Sequence, residues 1–409
     1  MKPLIALGPA LLALLVIPAC REAGQTGPWL GDVTVLSNPA GAGSRYPHLA
    51  STGQGQVVLS WLQALPQDGF ALQHATWAAG AWSAASTVAT GQDWFINWAD
   101  FPSVVPIAGK TWAAHWLQQK PGSVYAYDVS VAISHDAGVN WSEPTSPHDD
   151  GTPTEHGFVS LYPVHGTTQA VWLDGRHTSG AHDHSGAVPG AMTLRGATIG
   201  ADGRRAGVDQ EIDARVCDCC QTDVAITSEG PVIVYRDRSA AEVRDVALVR
   251  RDGERWSQPV QVHADGWKID ACPVNGPAVD ARGQSVAVAW FTAPDVPRVR
   301  LALSDDGGRT FAPPVEVASG NVVGRVDVVL LEDGRAIVSW LQSAPGGAEI
   351  RAQPFRRQGA AGSAVTIASA SVQRASGFPQ MVQAADGLLF AWTDSAGPVH
   401  IRTAFARLD

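Results

Sequence analysis

The chain has 409 residues, of which 45% are hydrophobic and 17% charged, and its formal net charge is −10 at pH 7. This negative balance, with no basic cluster against it, disfavours binding to nucleic acid, and no nucleic-acid partner is expected. No nucleophile elbow, P-loop, dinucleotide fingerprint or HExxH motif is present. We therefore expect no cofactor and none of the common kinase, dehydrogenase or hydrolase chemistries that these motifs mark.

The first 19 residues have the pattern of an export signal. Lys2 precedes an apolar run from Leu4 to Ile17, which is too short to span a bilayer as a helix. The sequence Val-Ile-Pro-Ala before Cys20 resembles a bacterial lipobox, and the resemblance implies cleavage before Cys20 and lipidation of its thiol. We expect an exported protein anchored to a membrane of the bacterial cell envelope, with a tether over 20–30 and one domain over 31–409. Pro18 is unusual in a lipobox, so export without lipidation stays open.

A short apolar run that ends in an aromatic residue recurs seven times along the chain. The aromatic residues are Trp61, Trp116, Trp172, Tyr235, Trp290, Trp340 and Trp392, at intervals of 50 to 63 residues. Repeats of this length, rich in β-branched residues and glycine turns, predict one four-stranded sheet each, which is the unit of a β-propeller. The sequence therefore predicts an all-β, seven-bladed propeller, with six blades as the alternative, and we expect a monomer although the repeat does not determine the oligomeric state.

A second short strand precedes each aromatic run and is predicted to be the innermost strand of its blade. These strands begin near residues 45, 100, 157, 221, 275, 324 and 377. The last repeat supplies three strands, of which the third covers 400–408, and the segment 32–37 is predicted to add the fourth. Pairing of the two chain ends would close the ring and leave no unpaired edges.

Two segments share the pattern Ser-x-Asp-x-Gly-x-x-aromatic. They run from Ser134 through Asp136 to Trp141 and from Ser304 through Asp306 to Phe311. Both resemble the Asp-box, or BNR repeat, of the sialidase-like propellers, and the resemblance implies that fold. In such a hairpin the aspartate accepts backbone N–H groups and the glycine takes a positive φ. The device is structural and occurs in enzymes and binding proteins alike, so it does not define a function.

Polar residues gather where innermost strands begin and second strands end, and both positions lie on one side of the ring, which we call the mouth face. The candidate ligand-binding residues are Arg45, His156, Arg176, Asp223, Arg236, Arg238, Asn275, Arg325 and Asp327, and the candidate catalytic carboxylates are Asp100, Asp174 and Asp237. Because arginine recognises carboxylates in a bidentate manner, the set predicts a pocket for a glycan or other small anionic ligand at blades three to five. Alternatively, these charges neutralise one another and join the blades.

The resemblance to sialidases implies three arginines around the substrate carboxylate, a tyrosine nucleophile helped by a glutamate, and an aspartate acid/base. The matching positions are Arg45, Arg236 or Arg238, Arg325 and Asp100. The nucleophile of the family comes late in the chain, whereas this sequence has no tyrosine after Tyr235. Sialidase-type hydrolysis is therefore in doubt, and a glycosidase with another carboxylate pair, for instance one that uses Glu155 or Glu211, stays open.

Four cysteines lie in the connectors that enter blades four and five, namely Cys217, Cys219, Cys220 and Cys272. In an oxidising compartment two disulfides are expected, and Cys217–Cys220 with Cys219–Cys272 is the least strained pairing. A thiolate metal site is the alternative, and the loop with His177, His182 and His184 could add imidazole ligands. Two other functions therefore compete with ligand recognition, a non-catalytic interaction scaffold and a Cys/His metal or redox protein.

Overall fold

The computed structural model describes residues 28–52, 55–178, 190–253 and 255–409. These residues form seven antiparallel sheets around a central channel, so the predicted all-β, seven-bladed propeller is confirmed. The only helix in the described ranges is the single 3₁₀ turn η1 (Arg374–Ser376). No helix among them is long and apolar enough to cross a membrane. The export signal, Cys20, His182 and His184 lie outside the described residues.

Each blade runs outward from its innermost strand. After β1 (Thr34–Leu36), blade one contains β2 (Ser44–Ser51), β3 (Val57–Ala64), β4 (Phe70–Ala78), β5 (Ala81–Trp82) and β6 (Ser86–Gly91), and blade two contains β7 (Ser103–Ala108), β8 (Thr111–Gln119) and β9 (Tyr127–Ser134). Blade three contains β10 (His156–Val164), β11 (Thr167–Asp174), β12 (Met192–Ile199) and β13 (Arg205–Val216), and blade four contains β14 (Asp223–Thr227), β15 (Gly230–Arg236), β16 (Val246–Asp252), β17 (Arg255–Trp256) and β18 (Val260–Gln261). Blade five contains β19 (Ala278–Arg282), β20 (Ser285–Thr292), β21 (Arg298–Ser304) and β22 (Val315–Ser319). Blade six contains β23 (Val322–Leu330), β24 (Ala336–Ala344), β25 (Gly347–Arg356), β26 (Gly359–Ala360) and β27 (Val365–Ala370). Blade seven contains β28 (Gln380–Ala384), β29 (Gly387–Asp394) and β30 (His400–Arg407).

The hydrophobic core of the described residues consists of seven clusters, and each cluster lies between two neighbouring blades. Each cluster contains one of the seven repeated aromatic residues, all of them buried in second strands. Trp172, for example, is fully buried between blades two and three. The repeat is therefore explained by packing, because every interface between blades needs one large side chain to fill it.

The two ends of the chain meet in blade seven, as the sequence predicts. β1 pairs with β30 in an antiparallel register that sets Thr34 opposite Phe405. The ordered domain begins earlier than residue 31, because Trp29 and Leu30, which were expected to belong to the tether, are buried between blades six and seven. The indole of Trp29 also donates a 2.8 Å hydrogen bond to the carbonyl of Ser363, which fixes the N-terminal segment to blade six.

Both Asp-boxes have the expected geometry. In the first, one carboxylate oxygen of Asp136 accepts the backbone N–H groups of Val139 and Asn140 at 3.1 and 2.8 Å. In the second, Asp306 accepts two backbone N–H groups in the same way, each at 2.9 Å. Gly138 has a φ of +83°, a conformation that a residue with a side chain rarely adopts. Each box follows the third strand of its blade, β9 in blade two and β21 in blade five, away from the mouth face.

Candidate ligand-binding site

A group of titratable side chains lies on the mouth face where blades two and three meet. We call it the blade 2–3 cluster, and it consists of Asp100, Tyr127, Asp128, His148, Asp150, Glu155, His156, Asp174 and Arg176. Strand pairing brings these residues together, because His156 at the start of β10 lies opposite Asp174 at the end of β11. Tyr127, at the start of β9, forms a bridge to Glu155 in the connector that enters blade three. Five residues named from the sequence belong to this cluster, namely Asp100, Glu155, His156, Asp174 and Arg176.

The hydroxyl group of Tyr127 lies between two carboxyl groups. Its oxygen is 2.6 Å from Oε1 of Glu155 and 3.0 Å from Oδ2 of Asp100. A phenol has one proton to donate, so one of the two carboxyl groups must itself carry a proton. Burial raises the pKa of Asp100 to about 8, with a further contribution from the nearby charge of Glu155. We therefore assign the proton to Asp100, which donates to Tyr127, while Tyr127 donates to Glu155.

Two histidines stack beside this group and share one aspartate. The rings of His148 and His156 are 3.9 Å apart and nearly parallel. Oδ2 of Asp150 lies 3.3 Å from Nδ1 of His148 and 3.1 Å from Nε2 of His156. Burial tends to lower the pKa of His156, but the hydrogen bond to Asp150 and the charge of Asp174 outweigh it and raise that pKa. Burial dominates at His148 and lowers its pKa, so His156 binds a proton more readily than His148 does.

Arg176 balances the carboxylates on the outer side of the cluster. Its Nε and Nη2 donate to the two oxygens of Asp174 at 2.8 and 2.7 Å, and Nη2 also lies 2.9 Å from Asp209. Burial tends to raise the pKa of Asp174, but the hydrogen bonds from Arg176 lower it overall. Both partners are largely buried, so this bidentate pair is fixed within blade three.

Two sets of side chains in the cluster have the composition of metal sites. One consists of Asp128, His148 and His156, and the other of Asp150, His156 and Asp174, with ligand atoms in each within 4.8 Å of one another. The protein already uses most of these atoms. Nε2 of His148 accepts the backbone N–H of Val129 at 3.3 Å, and Arg176 occupies the space beside Asp174. The geometry describes a hydrogen-bonded network of acids and bases.

An aromatic surface adjoins the cluster. The ring of Phe95 stacks on the ring of Tyr127 at 4.0 Å, and Tyr125 lies 6.2 Å from Phe95. Tyr125 is 38% exposed, whereas Tyr127 is fully buried. Phe95 lies in the connector that enters blade two, and Tyr125 lies in the hairpin between β8 and β9. The mouth face of blade two therefore presents an exposed aromatic ring next to a tyrosine–carboxylate pair.

Predicted site residues in blades four to six have a different role. Asp223 and Asp327 occupy matching positions on the innermost strands of blades four and six, and Asp280, which was not predicted, lies on the innermost strand of blade five. Each accepts a backbone N–H of the next blade at 2.7 Å, donated by Val279, Leu330 and Met381 respectively. Burial raises the pKa of Asp223 to about 7 and that of Asp327 to about 8. Asp223 and Asp327 thus hold neighbouring blades together and line the channel wall.

The predicted arginines outside the cluster are also engaged within the fold. Arg236 is 1% exposed and donates to the carbonyls of Arg244, Asn275 and Phe291, between 2.6 and 3.1 Å. Arg325 is 4% exposed, donates to Ser376 and to carbonyls of 372–377, and lies 4.8 Å above the ring of Trp98. Neither guanidinium group can contact a ligand carboxylate in this structure.

The remaining predicted residues are spread over the ring. Arg238 pairs with Asp218 and Glu242 at 2.9 Å, and Arg45 lies 5.4 Å from the ring centre of Phe70. Oδ1 of Asn275 accepts the N–H of Arg325, and Asp237 accepts the N–H of Arg238. Burial raises the pKa of Asp237 to about 6. These contacts do not assemble the arginine triad that the sialidase resemblance implies.

The central channel contains a cavity of about 690 Å³ lined by all seven innermost strands. Its lining residues at the strand starts, such as Ala99, Asp100, Phe158 and Phe378, are buried. Those near the strand ends, such as Arg282, are exposed. The cavity therefore opens on the face opposite the mouth face, and it meets the blade 2–3 cluster at Asp100.

Four members of the cluster were not predicted from the sequence, namely Tyr127, Asp128, His148 and Asp150. The polar run His148-Asp149-Asp150 stands in the connector that enters blade three, and such connectors belong to the mouth face. That run was the signal for the histidine pair. Tyr127 had none, because a tyrosine at the start of a third strand is typical of an ordinary core position.

Comparison with known proteins agrees with this fold. The model of the BNR repeat-like domain matches residues 71–391, so the chain belongs to the BNR repeat-like family. Among solved structures, it is similar to a protein of unknown function from Dyadobacter fermentans, with 14% identity over 92% of this chain and 98% of that chain and a TM-score of 0.52. No curated protein sequence matches the chain.

Sialidases are among the structural neighbours. A NanB sialidase from Streptococcus pneumoniae is 9% identical over 93% of each chain, with a TM-score of 0.47. A Trypanosoma rangeli sialidase solved with the inhibitor DANA is 10% identical over 75% of this chain and 54% of that chain, with a TM-score of 0.48. At such identities structural likeness does not carry an activity from one chain to the other. The chain is a seven-bladed propeller of the BNR repeat-like family.

Proposed function

We propose that this propeller binds a glycan on the mouth face of blades two and three. The observation that carries the proposal is the exposed ring of Tyr125, which lies against the partly buried ring of Phe95 beside the buried hydroxyl–carboxylate pair of Tyr127 and Glu155. A sugar ring has an apolar face of C–H groups and an edge of hydroxyl groups. An aromatic ring beside acceptor oxygens complements both, and a few convergent polar groups next to an apolar surface are typical of ligand sites.

The charge of the site favours a neutral glycan over an anionic ligand. The cluster contains five carboxyl groups, and its one arginine, Arg176, is already paired with Asp174. The buried guanidinium groups of Arg236 and Arg325 donate to carbonyls, so they offer nothing to a ligand carboxylate. The proposed site therefore differs from the pocket expected at blades three to five, both in place and in the charge of its ligand.

An array of immobilised neutral and sialylated glycans tests the proposal. We expect the purified protein to bind neutral glycans and the variant Tyr125→Ala to lose that binding. Val139→Ala serves as the matched control, since Val139 is an exposed side chain in the first Asp-box, away from the mouth face. Binding confined to sialylated glycans, or unchanged binding by Tyr125→Ala, would refute the proposed site.

Hydrolysis of a glycosidic bond is a second candidate function, and one observation favours it. Asp100 and Glu155 both lie within 3.0 Å of the Tyr127 hydroxyl oxygen, and the raised pKa of Asp100 keeps it protonated at neutral pH. Two neighbouring carboxyl groups, one of them protonated, are typical of the active sites of retaining glycosidases. Release of nitrophenol from a panel of nitrophenyl glycosides measures this activity. Asp100→Asn should abolish the release and Asp237→Asn should not, and a wild-type protein inactive on the whole panel would exclude hydrolysis of these substrates.

We also propose export and lipid anchoring at Cys20, from the lipobox-like sequence alone. The expected result is that the protein sediments with membranes and that Cys20→Ala shifts it to the soluble exported fraction. The matched control is Cys272→Ala, which leaves the lipobox intact. Unchanged partitioning of Cys20→Ala would contradict lipidation as the cause.

A further inference from the structure

The four cysteines form one sulfur cluster between the connectors of blades four and five. Cys217 and Cys220 are joined by a disulfide, which is one of the two bridges that the sequence predicts. The sulfur atoms of Cys217, Cys219 and Cys220 all lie within 4.8 Å of one another. The thiols of Cys219 and Cys272 are within hydrogen-bonding reach of each other, although 53 positions separate them in the sequence.

The two connectors are held together independently of the sulfurs. The backbone N–H of Gly276 donates to the side chain of Gln221 at 3.0 Å, and Arg236 donates to the carbonyl of Asn275 at 2.9 Å. A Cβ atom at Gly276 would lie 2.2 Å from the carbonyl oxygen of Gln221, so the two backbones are in direct contact. The approach of Cys272 to Cys219 is therefore a property of the folded chain.

We propose that Cys219 and Cys272 close a second disulfide between blades four and five, with Cys272 as the attacking thiol and Cys219 as the resolving thiol. The assignment of roles follows from exposure, because Cys272 is exposed and Cys219 is partly buried. The order of events is set by access, since only the exposed sulfur can meet an oxidant from solution.

The reaction consists of two thiol–disulfide exchanges with a small-molecule or protein disulfide. Cys272 loses its proton and its sulfur attacks the oxidant, which forms a mixed disulfide and releases one thiol. The sulfur of Cys219 then loses its proton and attacks Sγ of Cys272, which releases the second thiol. The chain loses two protons and two electrons, and the oxidant becomes two thiols. The raised pKa of Cys219, caused by its hydrogen bond to Cys272 and by burial, agrees with a thiol that reacts second.

Peptide mapping under non-reducing conditions tests the bond. The reduced protein is incubated with oxidised glutathione and digested with trypsin, which separates peptide 216–236 from peptide 269–282. We expect a cross-link between these peptides in the wild type and in the double variant Cys217→Ser/Cys220→Ser. The cross-link should disappear in Cys219→Ser and in Cys272→Ser. Absence of the cross-link from the double variant would overturn the proposal, as would one equivalent of bound zinc or copper in the purified protein.

The roles of the two sulfurs are tested separately on the variants, each in the Cys217→Ser/Cys220→Ser background. In the Cys219→Ser variant, Cys272 should form a stable mixed disulfide with glutathione. In the Cys272→Ser variant, Cys219 should form it about tenfold more slowly, because its sulfur is less accessible. Far-UV circular dichroism shows that each variant is folded. Equal rates, or a faster reaction at Cys219, would reverse the assignment.

Discussion

Two regions of the ring contain similar residues in different arrangements. In blades four to six, the carboxylates of Asp223, Asp280 and Asp327 accept backbone N–H groups from the next blade. In blades two and three, Asp100, Asp150 and Asp174 contact titratable side chains: Tyr127, His156 and Arg176. A charged residue at a strand start is therefore no sign of a binding site by itself. Asp100 also accepts a backbone N–H of the next blade, from Phe158 at 2.7 Å. What distinguishes blades two and three is therefore the additional partner, because each of these carboxylates also contacts another titratable side chain.

The same contrast applies to the arginines. Arg236 donates only to carbonyl groups and is almost completely buried, whereas Arg176 pairs with the carboxylates of Asp174 and Asp209. The first arrangement stabilises the ring, and the second positions acids and bases. Substitutions in the two regions should therefore have different effects. Those in blades four to six should lower the free energy of unfolding, and those in blades two and three should lower the affinity for the ligand.

The largest effect on stability is expected from Arg236→Met. The substitution leaves the carbonyls of Arg244, Asn275 and Phe291 without their donor inside the core. We expect a loss of about 3–4 kcal/mol in the free energy of unfolding, because each unsatisfied buried acceptor costs about 1–3 kcal/mol. Urea titration measures the loss. Arg298→Met, on a surface ion pair with Asp295, should leave the unfolding midpoint nearly unchanged, and similar midpoints for both variants would contradict the account.

Asp327→Asn should have the next largest effect, a loss of about 1–3 kcal/mol, because an amide can accept only one of the two backbone N–H groups that Asp327 accepts. The loss should depend on pH. Burial raises the pKa of Asp327 from about 4 to about 8, so its contribution is fully present below about pH 4 and disappears as pH rises through about 8. Urea titrations at about pH 5 and about pH 9 should show a deficit that shrinks at the higher pH. A deficit that grows with pH would be the opposite result.

The architecture was predictable because each interface between blades contains one large aromatic residue, and these residues recur at regular intervals in the sequence. Closure of the ring by residues 32–37 was also predictable, because the last repeat supplies only three strands and its blade requires a fourth. No sequence pattern identified the hydrogen-bond partner of each charged residue. Arg236 and Arg176 both lie at the end of a second strand or just after it, and only the folded chain shows that the first contacts carbonyls and the second carboxylates. Tyr127 was missed because its ring belongs to the core and only its hydroxyl belongs to the site.

Tyr127→Phe should weaken glycan binding without a comparable loss of protein stability. The phenol orders the protons between Asp100 and Glu155, and its loss leaves two carboxyl groups without the bridging donor. We expect a decrease of about tenfold in affinity, equivalent to one hydrogen bond to a charged group. The matched control is Tyr235→Phe in blade four, which loses a similar bond to Asp213. Equal losses of affinity in the two variants would mean that the effect is general and not local.

The smallest expected effect is a difference between the titration midpoints of two histidines. Asp150 and Asp174 raise the pKa of His156 above 6.5, whereas burial lowers that of His148 below it. The stabilising contribution of His156 is therefore present below about pH 6.5 and lost as pH rises through its raised pKa. NMR titration of the ring protons measures both midpoints. Asp150→Asn should lower the midpoint of His156, and no change in that midpoint would exclude Asp150 as the cause.

The central claim is that the aromatic and acidic surface of blades two and three binds the ligand. Its most direct test is calorimetric titration of one neutral glycan, chosen from the array, into the wild type, Tyr125→Ala and Arg238→Ala. Tyr125 belongs to the proposed site, and Arg238 is paired with Asp218 and Glu242 in blade four. We expect Tyr125→Ala to lower the affinity by about tenfold or more, and Arg238→Ala to leave it unchanged. Lost binding in Arg238→Ala together with full binding in Tyr125→Ala would contradict the claim and move the site to blade four.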